Sequence, residues 1–124
     1  MKKVSILVST IDSGGAEKQA VLLAIQLSKH TDVNLIVLYG GHTEYKGNVD
    51  LLTKSSVKVH RLNGSMLLKT IRIRELLKES HTDVLLNYLT MPDLLGSFLG
   101  KRLKISVYNG IRNSRLPRLS LIHI

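Results

Sequence analysis

The residues of this sequence whose types and spacing suit ligand chemistry lie just after its first apolar stretch. Gly14 and Gly15 follow the polar residues Thr10, Asp12 and Ser13, and a helical pattern begins directly after the glycines. A strand that passes through glycines into a helix exposes free backbone N–H groups at the positive end of the helix dipole. Because glycine has no Cβ, a ligand can approach this backbone closely. The pattern therefore predicts a site for a phosphate or a carboxylate.

The glycine pair matches neither of the common phosphate-binding fingerprints. The spacing G-x-G-x-x-G does not occur in this region, and no Gly-Lys-Ser or Gly-Lys-Thr follows the pair. A tight strand-to-helix turn explains Gly14 and Gly15 as well as a ligand cradle does, and the polar residues beside them favour the ligand. Glu17 falls in the first helical turn, where the dipole favours a carboxylate, and we interpret it as support for the helix start.

Short apolar stretches alternate with helical patterns along the chain. Strands are predicted at 4–10, 32–39, 57–62, 83–88 and 105–108, helices at 16–29, 65–79 and 93–102, and one helical turn at 49–54. This alternation implies right-handed crossovers and a parallel sheet with helices on both faces. The predicted fold is α/β with strand order 3-2-1-4-5. Ligands of such sheets bind where the order reverses, at the carboxyl ends of strands 1 and 4.

Composition limits the classes of protein and partner. A chain of 124 residues suffices for one domain with a core. The sequence has no cysteine, which excludes disulfides and thiolate chemistry, and it contains neither a convincing signal peptide nor an apolar run of membrane-spanning length. We therefore expect a cytoplasmic protein. The net charge of +9 indicates an anionic partner, and the aromatic content of 4% without Trp argues against nucleic acid.

The predicted helix at 65–79 combines apolar and basic residues. Its expected apolar contributors are Leu68, Ile71, Leu76 and Leu77, and its basic set is Lys69, Arg72, Arg74 and Lys78. The basic set either docks the protein peripherally onto an anionic membrane at the inner face or forms a solvated helix face. The sequence leaves both interpretations open.

The remaining polar candidates give no catalytic constellation. The histidines show no metal-ligand spacing, so neither a metal site nor a cofactor is predicted. His30 and His81 each follow a helix, where an imidazolium interacts favourably with the dipole. His42 follows strand 2 and Arg112 follows strand 5, both on the ligand side, and Arg112 is a candidate contact for an anionic ligand.

The end of the chain completes no element. Residues 112–118 are basic and loop-like, and Leu119–Ile124 reads Leu-Ser-Leu-Ile-His-Ile, which translation of a common transposon adapter from sequencing libraries also yields. We expect an incomplete domain over residues 1–118, from a truncated reading frame, and a non-native tail over residues 119–124.

The opening of the chain resembles the N-terminal domain of glycosyltransferase family 4, which has the GT-B fold. The resemblance rests on an apolar strand, a short polar linker, the run Gly-Gly-Ala-Glu-Lys at 14–18 and an apolar helix. Asp83-Val84-Leu85-Leu86 and the segment 105–112 resemble later strands of that family. The similarity extends over most of residues 1–113.

In that family two Rossmann-like domains face each other across a cleft, and the N-terminal one receives the acceptor. The resemblance implies a retaining transferase in which Gly14 and Gly15 approach the diphosphate of a nucleotide-sugar donor. It also implies an acceptor that is an envelope glycan or a lipid-linked glycan. Tyr108-Asn109 departs from the family, since many members carry a histidine there. The C-terminal domain with its paired glutamates is missing, so we expect this part to be inactive alone.

A second class of function stays open at this point. A non-catalytic Rossmann-like module that binds a nucleotide or an anionic surface would carry the same charge and the same glycine turn. Protection of the glycine turn by a diphosphate would favour the enzyme. Salt-sensitive binding to vesicles or DNA, with no effect of a sugar nucleotide, would favour the module.

Overall fold

The fold of this protein was analysed in a computed structural model, which describes residues 3–12, 15–41, 43–88 and the backbone of 106–109. Strands and helices alternate along these residues. In chain order they are β1 (Val4–Val8), α1 (Gly15–Ser28), β2 (Val33–Val37), α2 (Lys46–Thr53), β3 (Lys58–Arg61), α3 (Met66–Glu79), β4 (Val84–Asn87) and β5 (Ser106–Asn109). The helix predicted at 93–102 lies outside the described residues.

All strand pairs of the sheet are parallel, and the strand order is β3-β2-β1-β4-β5. β1 lies at the centre, where Ile6 is in register with Leu35 of β2 and with Leu86 of β4. All five residues of β1 are buried, as are those of β2. The predicted α/β class and strand order are therefore confirmed.

The two faces of the sheet carry separate apolar cores because successive side chains of a strand point to opposite faces. Ile6 packs with Ala20 and Ala24 of α1 and with Leu52 of α2. Its neighbour Leu7 belongs to the other cluster. That cluster contains Leu7, Ile36, Leu38, Leu62, Ile73, Leu76, Leu77 and Leu85. Helices α1 and α2 thus cover one face and α3 the other, as predicted.

Helix α3 has well-defined ends. The Ser65 side chain accepts the backbone N–H of Leu68 at 3.3 Å and so caps the amino terminus. At the other end His81 has a φ of 53°, and the N–H groups of His81 and Thr82 donate to the carbonyls of Lys78 and Leu77. This is the hydrogen-bond pattern of a Schellman motif. It places the predicted His81 directly after the helix.

The buried face of α3 differs from the predicted one. Leu68 and Ile71 are exposed, whereas the buried residues are Lys69, Ile73, Leu76 and Leu77. Their spacing of four, three and one residues forms a single stripe along the helix. Lys69 is only 8% exposed, and its Nζ lies 4.4 Å from the centroid of the Tyr39 ring. The prediction that Lys69 belongs to an exposed basic face was therefore wrong, because its aliphatic stem covers apolar surface and its ammonium stacks on an aromatic ring.

The sequence also underestimates α2. Only one helical turn was expected at 49–54, but the helix begins at Lys46 and has eight residues. Gly47 and Asn48 are weak helix formers, which is why the local pattern does not indicate this first turn. The Asn48 side chain is buried and hydrogen-bonded to the loop before α1. A tertiary contact therefore overrides the local preference.

His60 of β3 lies half-buried under α3. Its Nε2–H donates to Oδ1 of Asn34 at 2.8 Å. Burial, and after it the charges of Arg72 and Lys58, lowers the pKa of His60 below its ordinary 6.5, while Glu79 opposes the shift. The fold thus favours the neutral form of this imidazole relative to the unfolded chain.

We expect stability to fall as the pH drops below about 6.5, because the unfolded chain binds a proton at His60 more readily than the folded chain does. The contribution of His60 to stability is fully present at pH values above its pKa in the unfolded chain. It is lost as the pH falls toward its lowered pKa in the folded chain. Thermal unfolding followed by circular dichroism between pH 7.5 and pH 5.5 measures the slope. His60→Gln should flatten this slope, because it removes the titrating imidazole. An equal slope in His60→Gln would contradict the assignment.

Gly40 gives a second prediction, because no side chain fits where β2 passes the end of β3. A Cβ on Gly40 would lie 2.7 Å from the Leu62 carbonyl oxygen and 2.9 Å from Cβ of Arg61. We expect Gly40→Ala to lower the free energy of unfolding by about 1–3 kcal/mol, as overpacking does. Gly41→Ala is the matched control, since its nearest neighbour would lie at 3.7 Å. Urea denaturation compares the two, and equal stabilities would refute the steric argument.

Candidate functional site

The candidate site lies at the carboxyl end of β1, between β2 and β4. The backbone pairing continues past the strand ends, since the Tyr39 N–H donates to the Ser9 carbonyl at 2.9 Å and the Tyr88 N–H donates to the Leu7 carbonyl at 2.9 Å. From this point the chain runs through 9–12 into α1 at Gly15. The site thus occupies the position where the strand order reverses.

The structure describes three of the predicted site residues. Thr10 and Asp12 follow β1, and Gly15 is the first residue of α1. Ser13, Gly14 and Arg112 lie outside the described residues, as does His42. The described part therefore contains the two flanks of the predicted loop and the start of the helix that follows it.

Gly15 is not required by the packing of the chain. Among the described residues, a Cβ on Gly15 would meet no atom within 4 Å, and the φ of Gly15 is not in the left-handed region. Neither of the two common structural reasons for a glycine applies to Gly15. Open space in front of the first helical residue is also what close approach of a ligand needs. This geometry favours the ligand interpretation over the turn interpretation at this position.

Thr10 is tied to the first turn of α1. Its hydroxyl donates to Oε2 of Glu17 at 3.4 Å. Glu17 lies in the first helical turn, as the sequence predicted. The contact bridges the chain before the glycines and the helix after them, and a carboxylate here interacts favourably with the helix dipole.

Two backbone carbonyls of the loop are held from the side by the start of α2. The Ile11 carbonyl accepts the N–H of Tyr45 at 2.8 Å, and the Asp12 carbonyl accepts Nδ2 of Asn48 at 3.0 Å. Sequence reasoning missed Asn48. The available signal was a polar residue directly before the apolar positions of the predicted turn at 49–54.

The loop after β2 is fastened to the end of β3 by an ion pair. Nε of Arg61 lies 2.6 Å from Oε2 of Glu44, and Nη2 lies 3.0 Å from Oε1, a two-pronged arrangement that fixes both side chains. The hydrogen bond to Glu44 raises the pKa of Arg61 further. This cation is thus engaged within the protein at the same edge of the sheet.

Asn87 is a second residue that the sequence analysis passed over. It ends β4, is fully buried, and stands in register with Leu7 of β1 and Asn109 of β5. A polar residue that closes an otherwise apolar strand is a recognisable signal, because strand ends at this edge line the ligand crevice. Asn87 therefore lies at the edge of the sheet where the candidate site is placed.

The arrangement suits binding of an anion by backbone dipoles. Backbone N–H groups in the first turn of a helix lack partners within the helix and carry partial positive charge, and the carbonyls of Ile11 and Asp12 before α1 are already engaged as acceptors. No group of three or more His, Cys, Asp or Glu side chains that could hold a metal ion occurs among the described residues. None of the helices in the described ranges is long and apolar enough to cross a membrane.

The chain is similar in sequence to a known protein. No family model matches the chain. Over 95 residues it is 33% identical to a Campylobacter jejuni protein, the GalNAc-alpha-(1->4)-GalNAc-alpha-(1->3)-diNAcBac-PP-undecaprenol alpha-1,4-N-acetyl-D-galactosaminyltransferase. The match covers 72% of this chain and 26% of that enzyme. The chain therefore spans about a quarter of the length of this relative.

Solved structures share the fold. The lipopolysaccharide outer core galactosyltransferase WaaB in its apo form superposes with a TM-score of 0.62 at 14% identity, over 89% of this chain and 33% of that one. UGT73P12 from Glycyrrhiza uralensis, complexed with glycyrrhetinic acid 3-O-monoglucuronide, gives a TM-score of 0.59 at 15% identity, over 87% of this chain and 27% of the other. In sequence the chain is therefore similar to about a quarter of a glycosyltransferase, and its Rossmann-like α/β fold is shared with part of these two GT-B structures.

Proposed function

We propose that the chain is the N-terminal, acceptor-side part of a glycosyltransferase that moves a sugar from a nucleotide-sugar donor to a lipid-linked or cell-envelope glycan. The observation that carries the proposal is the start of α1 at the reversal of strand order, where a Cβ on Gly15 would meet no atom of the described residues within 4 Å. The similarity to a transferase whose name specifies an undecaprenol-linked diphosphate acceptor supports the acceptor class.

The chemistry proposed for this part is electrostatic. When a nucleotide sugar reacts, negative charge develops on the departing diphosphate, and preorganised N–H groups stabilise it without reorganising. Thr10, Asp12, Ser13, Gly14 and Gly15 form the proposed diphosphate-side loop, with Arg112 as a candidate cation. No catalytic base is assigned to this part, and no cofactor is required of it. We propose that the donor pocket lies in a second domain.

The gene itself tests this division of labour. We propose that residues 1–118 belong to an incomplete domain and that residues 119–124 are not native. Reading the DNA beyond the codon for Arg118 in an independent clone should reveal a second α/β domain with paired glutamates. A stop codon directly after Ile124 in independent clones would overturn the enzyme proposal in favour of a free-standing module.

Gly15→Ala tests the diphosphate site in the chain as it stands. The Cβ meets open space, so thermal stability should stay unchanged or rise by up to about 1 kcal/mol. Affinity for inorganic pyrophosphate should fall about tenfold, because the methyl group occupies the path of the ligand toward the helix start. Titration followed by NMR at the amides of residues 10–17 gives the dissociation constant.

The control for this prediction is Gln19→Ala, an exposed change on the same helix. It should alter helix propensity while leaving pyrophosphate binding intact. If Gly15→Ala binds pyrophosphate as tightly as the unaltered chain does, the ligand does not approach this backbone. The turn interpretation would then replace the ligand interpretation.

We also propose that α3 brings the protein into peripheral contact with an anionic membrane on its inner face. The amino-terminal half of α3 exposes the apolar side chains Met66, Leu67, Leu68 and Ile71, with Leu67 at 70% exposure. The basic residues Arg72, Arg74 and Lys78 follow on the same helix. Nη1 of Arg72 forms ion pairs with Oε2 of Glu75 at 3.2 Å and with Oε1 of Glu79 at 3.8 Å. Lys69, which the sequence placed in the same basic set, instead makes a cation–π contact with the ring of Tyr39. Apolar insertion with flanking cations is typical of helices that lie in a membrane interface.

Vesicle sedimentation tests the contact. Binding to phosphatidylglycerol vesicles should fall several-fold in the double variant Leu67→Ser/Leu68→Ser, and added salt should weaken it further. Leu22→Ser changes a similarly exposed leucine on the opposite face of the sheet and should bind as the unaltered chain does. Equal binding of both variants would show that α3 is a solvated helix face.

A further inference from the structure

We infer that Asn48 is a positioning residue for the diphosphate-side loop, acting through the backbone carbonyl of Asp12. The inference rests on the proposed function, since it assigns a residue outside the loop to the geometry of that same site. The inference is based on a hydrogen bond of 3.0 Å that Nδ2 of Asn48 donates to the Asp12 carbonyl. The two residues are 36 positions apart in the chain.

The burial of Asn48 calls for an explanation other than the packing of α2. Its side chain is 1% exposed, and a buried amide destabilises the fold unless it is hydrogen-bonded. Leu52, one turn later, already anchors α2 in the core beneath α1. A leucine at position 48 would supply apolar area and a better helix former. The amide therefore serves a contact that an apolar side chain cannot make.

That contact holds the described end of the loop, at residues 11 and 12. The Asp12 carbonyl accepts the Asn48 side chain, and the carbonyl of its neighbour Ile11 is held by the N–H of Tyr45 from the same end of α2. Ile11 itself is buried among residues of α1 and β1. Together these contacts hold the loop from one side, while Thr10 ties it to Glu17 of α1. The start of α2 thus holds in place the residues that lead to Gly15.

Holding these residues in place affects how strongly backbone dipoles bind a charged ligand. Dipoles stabilise an anion strongly only when they are already oriented, because reorientation on binding offsets the gain. A carbonyl oxygen near the ligand would also repel it, so engaging the Asp12 carbonyl as an acceptor for Asn48 directs it toward α2. Asn48 thereby tunes the affinity of Gly15 and its neighbours without touching the ligand.

Asn48→Leu tests the inference, because it keeps the approximate volume of the side chain and removes the donor. We expect unchanged or increased thermal stability, together with an affinity for inorganic pyrophosphate that is about tenfold weaker, the equivalent of about one hydrogen bond. The amide resonances of Asp12 and Gly15 should shift in the ligand-free chain. NMR titration of the 124-residue chain measures both effects.

The matched control is Thr53→Ala on the same helix. The Thr53 hydroxyl donates only to the Val49 carbonyl within α2, so its loss perturbs the helix and not the loop. It should bind pyrophosphate as the unaltered chain does. If Asn48→Leu lost stability but kept its affinity, Asn48 would be a structural residue and the inference would be wrong.

The same titration separates this inference from the function on which it rests. Absence of any pyrophosphate effect at Gly15 in the unaltered chain would refute the proposed diphosphate site, and the positioning role with it. Binding to the unaltered chain and to Asn48→Leu with equal affinity would refute the positioning role alone. A second variant, Asn48→Asp, should weaken binding more than Asn48→Leu does, since its carboxylate repels the Asp12 carbonyl.

Discussion

The structure depends on the burial of β1 on both faces and on its pairing with a parallel strand at each edge. Right-handed connections carry the chain outward from β1 to β2 and β3 on one side, then back across the sheet to β4. This reversal of direction puts α1 and α2 on one face and α3 on the other. At the carboxyl end of β1 the connections diverge to opposite faces of the sheet, which is where sheets of this kind bind ligands.

The loop at this crevice is held by polar contacts, while the strands beneath it are held by apolar packing. Carbonyls of Ile11 and Asp12 are engaged by α2, and Thr10 is engaged by Glu17. Within the described part of the chain, no atom would lie within 4 Å of a Cβ on Gly15 at the start of α1. This division suits a site that binds charge, because a rigid base and oriented backbone dipoles reduce the cost of ordering the loop around a ligand.

Helix α3 serves two surroundings at once. Its inner stripe packs on the sheet, and its amino-terminal half presents leucines to the outside beside basic residues. Lys69 joins the two, since its stem lies with the buried stripe and its ammonium reaches the half-exposed ring of Tyr39. The buried side of such a helix can pack on the sheet while its exposed side contacts a membrane interface.

Local patterns in the sequence were enough for much of the fold. Runs such as Val4–Val8 and Val33–Val37 are apolar and β-branched, and the helical patterns between them force parallel crossovers. The α/β class and the strand order follow from these periods, and the expected position of a ligand at the carboxyl end of β1 follows from the strand order. The place of Glu17 in the first turn of α1 was also predicted, because the helix dipole acts on side chains within one turn.

Contacts between distant parts of the chain were decided only by the tertiary structure. The sequence indicated neither the tie from Asn48 to Asp12, nor the pair of Arg61 with Glu44, nor the contact of His60 with Asn34. Lys69 was placed on the wrong face because its charge outweighed its position in the buried stripe. The physical reason is common to all of them. A period of two or 3.6 residues assigns a side chain to a face, whereas a polar partner depends on which elements packing brings within about 3 Å.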